Sequence, residues 1–171
     1  SAPISNLAES ILKCEKEQLP EEEDLPYRKS IISSILRSSS HGLAESIKQL
    51  HLKPGENILL LVDQFEELFR YKSKQGDSKS FNESLAFVKL LVETIKNEDI
   101  PVYVVLTMRS DFIGECSQYQ ELTELINTSH YLIPQMTRGN FREAIVGPVA
   151  VGGGKISERL VHQLLNDVGD N

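Results

Sequence analysis

Ile4, Leu7, Ile11 and Leu12 recur at three- and four-residue intervals, which predicts a helix over residues 5–18. Ile31, Ile35 and Leu36 continue a helical period to about residue 38, and Leu43, Ile47 and Leu50 begin another. Pro54 and Gly55 break the chain in "KPGEN". The period then changes. Residues 58–63 form a continuous apolar run ending on a carboxylate, the pattern of a strand buried on both faces. A polar loop over 72–80 leads to a helix over 81–97, with Leu85, Val88, Val92 and Ile95 on one face. Ser80 stands as its N-cap, with Glu83 completing a capping box.

Pro101 opens a second apolar strand, "VYVVLTM". A helix over 119–127 and a short strand "HYLI" follow, and Thr137 and Ser157 are placed to cap two last helices. Ile156 and Val161 are spaced as a hydrophobic staple for the second of these. The proline-bounded "LPEEEDLP" (19–26) reads as a solvated acidic loop. Strand, helix, strand across 58–108 is a βαβ unit, whose crossover makes the two strands parallel. Uniformly apolar strands call for helices on both faces, so the expected class is α/β. The expected architecture is three-layer α/β/α with a parallel sheet and extra helices at both ends.

Composition narrows the functional classes. The chain has 171 residues, 40% of them apolar, enough for one domain with a real core. Its 25 acidic and 18 basic residues leave a net charge of -7, which argues against binding a phosphate backbone with the whole surface. No run of about 20 apolar residues is present to span a bilayer. Cys14 and Cys116 lie far apart without metal spacing, which fits a reducing cytoplasm. The four histidines have no paired spacing, so hydrolase triads and zinc sites find no support.

Candidate chemistry gathers where the strands end. Ligands of open α/β sheets bind beyond the carboxyl ends of the strands. Asp63 closes the first strand and "TMRSD" (107–111) the second, so parallel strands would put Asp63 and Arg109 on one rim. A carboxylate there can hold hydrated magnesium, and a guanidinium can grip phosphate. The plainer alternatives are a wet strand end, and an ion pair of Arg109 with Asp111 or Asp63. Glu66 and Glu67 fall in the first turn of a following helix, where negative charge suits the dipole, yet either can act as a general base. Gln64 can orient a water instead. "VGGGKIS" (151–157) is not a phosphate loop. The motif G-x-x-x-x-G-K-[ST] would need glycine at Val149 and a hydroxyl at Ile156.

"LLLVDQFEELFR" resembles the Walker B segment of the novel STAND group of signal-transduction ATPases, often joined to WD40 repeats. "VVLTMRSDFIGECSQYQELTELIN" is similar to the group's sensor-1 strand and following helix, and "YLIPQMTRGNFREAIVGPV" to the approach to its helical region. The resemblance covers about 57–169. It implies a P-loop NTPase fold lacking the phosphate-loop strand, a partial NTPase core over 1–147 and the start of a helical region over 148–171. It implies Asp63 as the magnesium ligand, Arg109 as the γ-phosphate sensor, and Glu66 or Glu67 as the base. Gln64, standing where related P-loop ATPases carry an acid, is the further nucleotide-site residue.

The chain is therefore expected to be an internal fragment of a nucleotide-switched signalling ATPase. ATP and Mg²⁺ would serve the full-length parent, with neither bound by the fragment alone. Expected partners are the rest of the polypeptide, with its upstream phosphate loop and downstream winged-helix and repeat domains. A nucleotide-dependent homo-oligomer is a further expectation, and nucleic acid and membrane are not. Two alternatives are a non-catalytic interaction module with a degenerate NTPase fold, supported by Gln64, and a response-regulator-like domain, which lacks a second acidic strand end.

Overall fold

The computed structural model describes residues 2–16, 25–50, 52–70 and 78–168. They form two compact units that divide between His130 and Tyr131. The first unit contains α1 (Pro3–Lys16), α2 (Leu25–Ser38), α3 (Gly42–Lys48), β1 (Ile58–Val62), α4 (Glu67–Arg70), α5 (Ser78–Ile95) and β2 (Val102–Leu106). A 3₁₀ helix (Ser110–Gln118) and α6 (Gln120–Ser129) complete it.

β1 and β2 pair in parallel, with Ile58 opposite Val102 and Val62 opposite Leu106. The expected βαβ unit is present, with α5 as its crossover helix. Ile58, Leu60, Val62, Val102, Val104 and Leu106 turn one way and pack on the core. That core draws Ile4 and Leu7 from α1, Leu36 from α2, Leu43 and Ile47 from α3, and Leu90 and Leu91 from α5. Buried Thr94 sits in the α5 interior without an unmet donor, because its hydroxyl donates to the Leu90 carbonyl at 2.7 Å.

Strict alternation decides the other face. Leu59, Leu61, Tyr103 and Val105 point away from the helices and are 66, 58, 64 and 44% exposed. Among the described residues, helices therefore cover one face of the sheet, although both strands are apolar throughout. The chain is a helix-rich α/β protein with, among the described residues, a small parallel sheet of two strands.

Several local expectations need correction. α5 begins at Ser78, so Ser80 lies inside the helix, and Glu83 pairs with Arg37 at 3.2 Å. Most of the acidic loop (19–24) lies outside the described residues, as do 17–18 at the end of the first expected helix and 71–77, and Leu25 and Pro26 already belong to α2. Proline suits that first turn, where its missing N–H has no helical acceptor to lose. "HYLI" is not a strand. Residues 130–136 form no regular element, and Tyr131 and Ile133 are 86 and 78% exposed. Apolar residues of strand type favour extended backbone, but a strand also needs a neighbouring edge to bond.

The second unit holds α7 (Arg138–Val151) and α8 (Glu158–Val168). Thr137 caps α7 as expected: its hydroxyl accepts from the Asn140 N–H at 3.2 Å, and Asn140 returns a bond to the Thr137 N–H at 2.9 Å. Ser157 caps α8 more loosely, accepting from the Leu160 N–H at 3.4 Å. Val161 and Leu165 are the buried residues of α8, and Arg142 pairs with Glu158 at 2.6 Å across the two helices. The glycine-rich stretch is the link between them, with Gly153 in the left-handed region at φ 71.

Candidate functional site

The carboxyl ends of β1 and β2 are joined by hydrogen bonds that continue beyond the strands. The Thr107 N–H donates to the Val62 carbonyl at 3.0 Å, and the Phe65 N–H donates to the Thr107 carbonyl at 2.9 Å. The Thr107 hydroxyl donates to Asp63 Oδ1 and accepts from the Gln64 N–H at 3.1 Å. One residue thus ties three successive residues of the turn after β1. The sequence pattern gave Thr107 no role, because a neutral hydroxyl carries no charge signal.

Within this turn Gln64 has φ 54, and among the described residues it is the one non-glycine with positive φ. Left-handed backbone is uncommon for a side-chain-bearing residue and persists where its surroundings hold it. The turn settles which way the following residues face. Phe65 is buried and stacks edge-on against Phe69, with ring centroids 5.7 Å apart. Glu66 is also buried, 7% exposed, and its Oε2 has no hydrogen-bond partner among the described residues. Glu67 opens α4 and is half-buried.

Asp63, Gln64 and Glu67 share the lining of an open groove of about 270 Å³. Asn6 and Ser10 of α1 and Phe87 of α5 also line it. α1 was legible as a helix, but nothing in its pattern assigned it to a site. The structure therefore groups Asp63, Gln64 and Glu67 and separates Glu66 from them. A carboxyl turned into the core does not face a water in the groove.

Arg109 lies two residues beyond Thr107 at the same end of the sheet, but its fork is engaged elsewhere. Its Nε and a terminal nitrogen donate to the two oxygens of Asp111 at 3.1 and 2.7 Å. Its guanidinium carbon stands 5.7 Å from the centre of the Phe112 ring. Of the plain alternatives for Arg109, the ion pair with Asp111 is the one formed, and both partners are more than half exposed. Such exposed pairs are worth about 0–1 kcal/mol, so a stronger anion can displace Asp111 at little cost.

Among the described residues no group of three or more His, Cys, Asp or Glu side chains is placed to hold a metal ion. That does not exclude magnesium, which commonly takes one or two carboxylates and completes its shell with water and phosphate oxygens. The exposed, hydroxyl-oriented carboxylate of Asp63 fits such a role. The family model for Novel STAND NTPase 1 matches residues 1–171. The chain belongs to this family. Searches of curated proteins and of solved structures return no match. In this STAND chain Asp63 and Arg109 both follow the carboxyl ends of the paired strands. No helix among the described residues is long and apolar enough to cross a membrane.

Proposed function

We propose that this STAND domain supplies the magnesium and sensor side of an ATP site in a nucleotide-switched signalling ATPase. The observation that carries the reading is Asp63: an exposed carboxylate at the carboxyl end of a parallel strand, held by a hydroxyl from the neighbouring strand. In this reading Asp63 is the Walker B acid and bears Mg²⁺, one oxygen steadied by Thr107. Glu67, which shares the groove with Asp63 and Gln64, is the better placed base, and Glu66 has a packing role. Arg109 exchanges Asp111 for the terminal phosphate. Gln64 orients the attacking water through its amide.

The 171 residues contain no G-x-x-x-x-G-K-[ST], so the lysine and backbone amides that cradle phosphates come from other polypeptide. The exposed sheet face at Leu59, Leu61, Tyr103 and Val105 is where further layers of a P-loop core would pack, since parallel sheets are ordinarily covered on both sides. The remaining partners in this reading are the winged-helix and repeat domains of the same protein and other copies of it, in the cytoplasm.

The test is hydrolysis by the full-length parent. Asp63→Ala abolishes Mg²⁺-dependent turnover, and Glu67→Gln lowers it at least tenfold while Mg²⁺·ATP still binds. Parental rates in both variants would overturn the reading. A non-catalytic interaction module would then take its place, a reading that the buried Glu66 and the engaged Arg109 already favour in part.

A further inference from the structure

We propose that Thr107 is a positioning residue of the strand-end site, a hydroxyl clamp that sets both the direction of the Asp63 carboxylate and the left-handed turn at Gln64. A hydroxyl has one proton and two lone pairs, so it can donate to a carboxylate and accept from an amide at once. Thr107 uses both capacities, donating to Asp63 Oδ1 and accepting from the Gln64 N–H at 3.1 Å. The backbone bonds of Thr107 to Val62 and Phe65 do not involve its side chain and would survive its replacement by valine or serine. What the hydroxyl adds is confined to Asp63 and Gln64.

That addition falls on the residue that needs it. Gln64 holds φ 54 without the freedom of glycine, so a specific contact must offset the strain. Fixing Oδ1 also stops the carboxylate from rotating and leaves Oδ2 as the oxygen that meets a cation. This last consequence rests on the reading of Asp63 as the magnesium ligand. The clamp itself does not.

The experiment compares Thr107→Val, which keeps the shape and removes the hydroxyl, with Thr107→Ser, which keeps the hydroxyl. The intact protein is followed by hydrogen–deuterium exchange over residues 62–66 and by the Mg²⁺ concentration that half-saturates ATP binding. Loss of one hydrogen bond speeds exchange by about three- to tenfold in the valine variant, and the Mg²⁺ requirement rises by a similar factor. Serine restores both. Parental exchange in the valine variant overturns the proposal whatever the metal does. Equal acceleration in both variants also overturns it, because the methyl group and not the hydroxyl would then hold the turn. Faster exchange that serine rescues, with no change in Mg²⁺ requirement, supports the clamp and removes Asp63 from the metal.

Discussion

Glu66→Met replaces a buried carboxyl with an apolar side chain of similar length and should stabilise the protein. Glu66 is 7% exposed and its Oε2 has no partner among the described residues. A buried polar group left without a hydrogen bond costs about 1–3 kcal/mol. Methionine removes that cost and adds apolar surface to a buried position. Part of the gain is lost to the flexible side chain, leaving about 1–2 kcal/mol. The Phe69 N–H keeps its bond to the Glu66 carbonyl at 3.0 Å, so the turn itself is undisturbed.

For a chain of this length each kcal/mol moves Tm by about 2–4 °C, so thermal unfolding should shift upward by about 2–8 °C. Glu66→Gln is the control. An amide in the same place retains the demand for partners and should show no comparable gain. A fall of Tm in Glu66→Met would refute the reasoning, since it would mean that Oε2 is satisfied in solution. Stabilisation accompanied by lost turnover in the parent would instead mark Glu66 as a strained functional group, and the assignment of the base to Glu67 would fall.

Cys14 and Cys116 should separate cleanly by reactivity: Cys14 is exposed, whereas Cys116 is buried and its thiol is pushed up to about 11 by burial and by the nearby Glu115. Peptide mapping after brief treatment with a thiol reagent should find label on Cys14 and reach Cys116 only as denaturant opens the fold. Because the folded value of Cys116 exceeds its ordinary 9.0, its contribution to stability is complete below pH 9 and fades as pH rises toward about 11. Cys116→Ala should flatten that decline in urea titrations. Gly42→Ala should destabilise by about 1–3 kcal/mol, because a Cβ would lie 2.2 Å from the Ile35 carbonyl oxygen and 2.9 Å from the Leu36 Cα. A urea midpoint unchanged or raised, as helix propensity alone would give, would show that α2 and α3 can separate freely. Arg109→Ala in the parent should spare ADP binding and weaken ATP binding, and equal loss of both would remove its sensor role.

Much of the fold was open to periodicity because its elements are long or bluntly patterned. α1, α2, α5 and both strands follow spacings that a one-dimensional pattern carries, and Thr137 and Ser157 are caps by residue type and position. The exposed sheet face was not open to it. Leu59 and Leu61 are as apolar as Leu60, so composition could not tell a face packed on the core from one that is bare among the described residues. "HYLI" failed for a related reason: local preference makes extended backbone, and pairing needs an edge elsewhere in space. Glu66 and Glu67 were equivalent by charge and first-turn position. They part company because Gln64 is left-handed, and no sequence period carries that turn.

Thr107 shows where a pattern of residue types stops. Strand existence and direction could be anticipated for 58–63 and 102–108, and they put both carboxyl ends on one rim. Register is a separate quantity, set by which residues of the two apolar runs face the shared core. Ile58 pairs with Val102 and Val62 with Leu106, so the next step along both strands brings Asp63 to Thr107. A slip of one residue would set Asp63 beside Leu106 or Met108, with no hydroxyl to meet it, and would exchange the faces of every strand residue. Charge complementarity drew attention to Arg109, yet the pairing that orients Asp63 depends on a neutral side chain two positions earlier. The candidate acid is legible from the end of one strand. Its orientation depends on the register between two.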